Sequence, residues 1–241
     1  MTSRTFTRSG LSIDVVSIDR AQGPELAARE HPRLVRLTHW LNAVSLAVMT
    51  MSGLQIFMAF PSFGAKIPQS DLLHVPEAFR LGGWLGGALQ WHFAFAWPFT
   101  LTGIVYVVYL AVSGHWRHVL LQPREIRGIW PMARHYFLFK AKPEAREAYN
   151  PLQKLAYTST IAFGMAAVGT GLLLAKPVQF GPIVSLLGGF PAIRIYHFAA
   201  MLGFVAFIPG HLLMVALHGW SNFASMFTGW KRRPDYLDPA A

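Results

Sequence analysis

The sequence predicts an all-α fold, an integral membrane four-helix bundle, and three observations carry that prediction. Charge is scarce: of 241 residues 53% are hydrophobic and only 13% are charged, where an ordinary soluble domain carries about a quarter. The charges are also clustered. They leave uncharged stretches at 37–65, 81–116, 155–175 and 195–230, of 29, 36, 21 and 36 residues. Finally, the excess of 21 Lys and Arg over 11 Asp and Glu is shared unequally between the segments that join those stretches.

Each stretch holds the ~20 mainly apolar residues that a helix rising ~1.5 Å per residue needs to cross a ~30 Å hydrocarbon layer. Pro61, Gly114, Pro151 and Pro177 punctuate the ends and place the spans at 33–59, 90–114, 151–175 and 193–219. Residues 1–32 form a polar N-terminal tail with no assigned role. They contain Asp14, Asp19 and Glu25 and lack the basic start and short apolar core of a signal peptide, so the first span is expected to stay as an anchor. Residues 220–241 form the C-terminal tail. The loop at 61–90, with Gly82, Gly83, Gly86 and Gly87 around Trp84, reads as flexible, partly apolar surface. The segment 115–150 is expected to contain one short amphipathic helix near 123–139, and neither an internal repeat nor a separate soluble domain is legible.

A net charge of +10 would suggest nucleic acid as the partner of a soluble protein. Position removes that interpretation. Seventeen of the 21 basic residues lie within residues 4–36, 117–154 and 231–233, and only Lys66, Arg80, Lys176 and Arg194 lie in the other two loops. By the positive-inside rule, both termini and the middle segment are expected in the cytoplasm of a bacterial inner membrane, with the other two loops outside.

The chain has no Cys, which excludes disulfides, cysteine-ligated iron-sulfur clusters and covalent c-type haem. Ionisable residues inside a membrane span are costly and mark function by default. Here no Asp, Glu, Lys or Arg lies in a span interior, but His39 is in the first span, His92 in the second, and His197 and His211 in the fourth. The last two are 14 residues apart, ~21 Å along a helix and only ~40° around it. With the orientation above, His39 and His211 share the cytoplasmic side and His92 and His197 the outer side. Two bis-imidazole sites at two depths suit two non-covalent b-type haems within the bundle. A zinc site would need three or four of these ligands together. A lone membrane histidine is commonly a hydrogen-bonded helix contact, but four that pair by depth point to ligands. His74, His115, His118, His135 and His218 lie near interfaces and read as solvated or headgroup-level. Gly53 returns to the His39 face at the outer depth, where a missing side chain admits a porphyrin or lets two helices touch. Pro98 and Pro209 are expected to bend their helices.

The run Arg36, Leu37, Thr38, His39, Trp40, Leu41, Asn42, followed by Ser52, Gly53, Leu54, Gln55, resembles the first helix of the di-haem cytochrome b subunits of formate dehydrogenases, nickel-iron hydrogenases and thiosulfate reductases. The likeness covers about residues 31–231 and maps the family's four haem ligands onto His39, His92, His197 and His211. Tyr149 to Tyr157 is similar to the family's opening of the third helix, which borders a quinone site. The resemblance implies electron exchange between the membrane quinone pool and a periplasmic catalytic subunit. Its pattern looks most like the thiosulfate-reductase branch, whose partners include molybdopterin enzymes.

In that scheme the haem at His92 and His197 faces the partner, and the haem at His39 and His211 exchanges electrons with quinone near Asn150 and Gln153. The two amides can donate to or accept from quinone oxygens and share a helix face, though capping would place them there equally. Arg36, Lys154 and Arg194 stand at helix ends as headgroup anchors or partners for haem propionates. Three alternatives stay open on sequence alone: the b-type cytochrome of a nickel-iron hydrogenase, a stand-alone superoxide or ferric reductase, and a haem-free anchor or transporter.

Overall fold

The computed structural model describes residues 4–8, 11–16, 27–29, 31–59, 74–138, 149–217 and 219–232. Its elements are strands β1 (Arg4–Arg8), β2 (Leu11–Val16) and β3 (Ala27–Arg29), helices α1 (Arg33–Ala59), α2 (Leu85–Ser113), α3 (Trp116–Val119), α4 (Ile129–Leu138), α5 (Pro151–Ala175), α6 (Gly181–Leu186), α7 (Gly189–Leu217) and α8 (Gly219–Thr228), and strand β4 (Trp230–Arg232). Four helices, α1, α2, α5 and α7, are long and apolar enough to cross a membrane. The first and third coincide with the predicted limits.

The other two spans begin earlier than the sequence suggests, each for a local reason. Gly82 and Gly83 take the turn in left-handed conformations, after which Trp84 caps α2 in an extended one. The Trp84 ring then folds over the first turn, where a Cβ at Gly86 would meet it at 2.4 Å. The glycines taken as loop are therefore helical, because only they admit the indole. The fourth span starts at Gly189 after a left-handed Gly188–Gly189 turn. It ends at Leu217, and the predicted C-terminal tail begins with a separate helix, α8. The expected amphipathic segment is a 3-10 turn at Pro123–Gly128 that runs into α4.

The chain divides into two compact units, residues 41–208 and residues 1–40 with 209–241. In the first, the four membrane helices pack on one another through few polar contacts. Thr102 donates to Asn42 Oδ1 at 2.7 Å between α2 and α1. Phe57 stacks on Phe198 at 4.7 Å, and Phe204 of α7 meets both Phe99 and Phe163 edge-on at 6.0 Å. Large apolar side chains point outward all around, including Val112 at 84% and Trp97 at 69% exposed. In water such a surface would drive association, whereas lipid is its natural solvent.

Below α5 the connecting segment is fastened rather than loose. Lys154 is 1% exposed and pairs with Glu125 at 2.6 Å. Leu121 N–H donates to Thr158 Oγ1 at 2.9 Å, and Gly128 lies so close to Pro151 that a Cβ would meet its Cγ at 2.8 Å. The expectation that Lys154 anchors in headgroups is thus replaced by a buried ion pair. The second unit contains an antiparallel sheet in the order β1-β2-β3-β4, with Arg4 opposite Val15 and Arg29 opposite Trp230. The two tails meet in it, a partnership the sequence reading did not assign. Arg36 donates to the Phe227 carbonyl at the end of α8, and Trp40 Nε1 donates to that of Met226 at 3.1 Å.

Removing one member of a buried ion pair strands the other charge, at a cost of about 3–5 kcal/mol. Glu125→Ala is therefore expected to lower the thermal unfolding midpoint in detergent strongly. Glu125→Ala with Lys154→Met should recover much of the loss, as a double-mutant cycle would measure.

Candidate functional site

The four membrane histidines meet in two pairs. His92 of α2 and His197 of α7 have ring centres 6.1 Å apart, and His39 of α1 and His211 of α7 are 6.2 Å apart. Two imidazole nitrogens each about 2.0–2.1 Å from one metal ion put the ring centres about 6.2–6.4 Å apart. Both pairs have a spacing at which two imidazole nitrogens could share one metal ion. Each pair draws its members from two different helices.

In the His92–His197 pair the ring tautomer follows from the hydrogen bonds. Ser52 is fully buried and its hydroxyl donates to the Val48 carbonyl at 2.7 Å. Toward His92 Nδ1, at 3.1 Å, the same oxygen can then only accept. Nδ1 also lies 3.1 Å from the Met49 carbonyl, which has no proton to give. His92 therefore carries its proton on Nδ1, and Nε2 keeps the lone pair that a metal needs. His197 repeats the arrangement on the opposite side. Thr170 donates to the Ala166 carbonyl and stands 2.9 Å from His197 Nδ1, which also makes a backbone bond at Ala167.

A glycine follows each hydroxyl. A Cβ at Gly53 would touch His92 Cε1 at 3.4 Å, and one at Gly171 would press on His197 Cε1 at 3.1 Å. Gly53 is thus placed against the ligand ring of the neighbouring helix. Ser52 entered the sequence reading only within the resemblance, with no role of its own, and Met49, Thr170 and Gly171 did not enter it, although Ser52-Gly53 and Thr170-Gly171 are the same kind of dipeptide. In the His39–His211 pair, Trp40 packs edge-on against His39 at 5.1 Å, and His39 Nδ1 is buried without a hydrogen-bond partner among the described residues.

Asn150 and Gln153 form a reciprocal capping box at the start of α5. Asn150 Oδ1 accepts from Gln153 N–H, and Gln153 Oε1 accepts from Asn150 N–H, both at 3.0 Å. Asn150 Nδ2 also reaches Tyr136 Oη at 3.4 Å, and Tyr149 meets Tyr157 edge-on at 5.5 Å. Each amide oxygen accepts one bond in the cap, which leaves the amide hydrogens of Gln153 and a second lone pair on each oxygen for further chemistry. Of the interfacial histidines, His74 is exposed and His218 lies outside the described residues. His115 is half-buried with its ring 5.9 Å from His118; burial first, then His118, holds its pKa below the ordinary value.

The model of the prokaryotic cytochrome b561 family matches residues 30–229, which include all four histidines. The chain belongs to this family. Membership implies haem b, and the two histidine pairs are the donors that fit it. Among related proteins, one from Azospira oryzae, named as a candidate protein-methionine-sulfoxide reductase subunit YedZ1, is 39% identical over 187 residues, covering 78% of this chain and 90% of its own. Two carry the name probable Ni/Fe-hydrogenase B-type cytochrome subunit. That of Azotobacter chroococcum is 25% identical, over 83% of this chain and 88% of its own. That of Cupriavidus necator is 27% identical, over 74% of each.

Gly171→Val would force a branched side chain against the His197 ring. It should lower bound haem per chain in a pyridine haemochrome assay, whereas Gly53→Ala, at ordinary contact distance, should leave haem content unchanged.

Proposed function

We propose that the chain is the membrane di-haem cytochrome b of a respiratory oxidoreductase, carrying electrons between the quinone pool and a catalytic subunit on the outer face. The observation that carries this is the twofold occurrence of a histidine pair at metal-bridging distance, His92 with His197 and His39 with His211. In each pair one imidazole comes from α7 and the other from a different helix. Haem, when bound there, supplies a one-electron carrier at each pair. The chain's own part is to hold the ligand rings, exclude water with its aromatic packing and shape the quinol site.

Quinol oxidation releases two electrons and two protons. The absence of carboxylates from the span interiors leaves no acidic relay across the bilayer, so protons are released at the surface where quinol binds. We place that surface on the cytoplasmic side, at the start of α5, with the Gln153 amide donating to a quinone oxygen while its Oε1 holds the cap. The distribution of basic residues supports an orientation with both termini in the cytoplasm of a bacterial inner membrane. An electron that crosses the whole membrane exchanges ~2.3 kcal/mol per 100 mV with its potential.

For the catalytic subunit, the Azospira relative favours a reductase of protein methionine sulfoxide, which takes up two electrons and two protons and yields the thioether and water. A molybdopterin enzyme, as the resemblance suggested, suits such an oxygen-atom removal; thiosulfate as its substrate has no support from the relatives. The Azotobacter and Cupriavidus relatives favour a second reading, the cytochrome of a nickel-iron hydrogenase, in which electrons run toward quinone. Purification with the associated subunit separates the two: quinol-dependent sulfoxide reduction supports the first, hydrogen-dependent quinone reduction the second.

His39→Ala or His211→Ala should remove one haem and abolish quinol-driven reduction while the other haem still reduces with dithionite. Loss of neither or of both in a folded protein overturns the pairing. Gln153→Glu retains the capping oxygen and removes the amide donor. It is expected to raise the apparent KM for quinol several-fold at unchanged haem content, and unchanged steady-state kinetics would take Gln153 out of the site.

A further inference from the structure

The two histidine pairs differ in what holds the distal edge of their rings. At His92 and His197 a repeated device does so. On α1 and again on α5, a hydroxyl residue spends its proton on the carbonyl four residues back, so that its oxygen accepts from the imidazole. The carbonyl three residues back takes a share of the same N–H, and the next residue is glycine. Ser52 and Thr170 occupy the same place in two segments that share little sequence beyond it. At His39 the corresponding nitrogen is buried and has no hydrogen-bond partner among the described residues.

We propose that Ser52 and Thr170 are positioning residues that make the His92–His197 haem the lower in potential of the two. This rests on the assignment of the two pairs as haem ligands. An imidazole whose Nδ1–H is given to oxygen acceptors gains electron density at Nε2 and becomes a stronger donor to iron. Stronger donation stabilises ferric over ferrous iron, and outer hydrogen bonding is one of the levers by which a protein sets a haem potential. Here both ligands of one haem are strengthened, each by two acceptors. At the other pair, His39 Nδ1 has no such acceptor among the described residues. The glycines keep the rings seated on those acceptors, since a side chain at Gly171 would push the His197 ring away from Thr170.

The test is potentiometric titration of the purified full-length chain with its haems, read in the α-band. Ser52→Ala and Thr170→Val are each expected to raise the lower of the two potentials and leave the higher unmoved. The expected shift is of the order of a tenfold change in the oxidised-to-reduced ratio, ~59 mV for one electron. Thr170→Ser, which keeps the acceptor, should restore the wild-type value, an outcome that a purely packing role for the threonine would not produce. Should Thr170→Val lose its haem, Ser52→Ala decides by the same measurement, because it removes one oxygen and leaves the Met49 carbonyl in place. Two retained haems with unaltered potentials, or a shift confined to the higher-potential haem, overturn the inference alone. Wild-type protein lacking two b haems overturns the ligand assignment itself.

Discussion

An imidazole in the hydrocarbon layer has only other side chains and helix carbonyls to bond to, and the way His92 and His197 meet this constraint organises the four-helix unit. Water is absent there, and every backbone carbonyl of a straight helix is already spent on its own ladder. The ring of His92 solves the problem by borrowing a carbonyl, Met49, that can accept a second bond, and a serine oxygen whose proton points elsewhere. One ring nitrogen is thereby fixed as donor, and the other is left with an exposed lone pair that only a metal or a strong donor can satisfy. A neutral hydrogen-bonding histidine at a helix contact has no need of a second histidine 6.1 Å away across the bundle. The pairing, rather than the presence of histidine, is what supports the proposal that these rings are ligands.

Most of the membrane architecture was legible because it depends on one-dimensional quantities. Length without charge gives spans, and Arg33–Ala59 and Pro151–Ala175 match their predicted limits because charge or proline lies beside each end. The pairing of His39 with His211 and of His92 with His197 was legible through depth alone, since rise per residue and loop charge fix depth without knowledge of packing. Where punctuation was ambiguous, the boundary moved. Glycines read as loop at 86 and 87 are helical because an indole packs over them, and no local propensity encodes that.

The unread part consists of contacts between residues distant in sequence. Lys154 looked like a headgroup anchor because a lysine at a helix start usually is, and nothing in its neighbourhood announces Glu125 at 29 positions' remove. Strands β1 and β2 do show alternation, in Thr5, Phe6 and Thr7 and in Leu11, Ile13 and Val15. They pair with each other, though, and the sheet is completed through β3 by Trp230–Arg232 from the other end of the chain. At Asn150 and Gln153 two uses of the same amides had been open, and the capping box accounts for both oxygens. A ligand there must be compatible with the cap, which fixes the positions of both amides.

The recurrence of a hydroxyl residue followed by glycine on α1 and α5 has a geometric explanation. A helix that supports a ring on its neighbour must offer an acceptor and must come close, and one turn of helix provides both only at adjacent positions. The hydroxyl supplies the acceptor while satisfying its own proton along the axis, and the glycine after it, about 100° further around, removes the Cβ that would otherwise strike Cε1. Ser52 is fully buried against this contact and Thr170 is half-exposed. The approach is tighter at Gly171, 3.1 Å against 3.4 Å at Gly53. Of the two glycines it is the one where any side chain displaces the imidazole from its acceptor, and with it the direction in which Nε2 points.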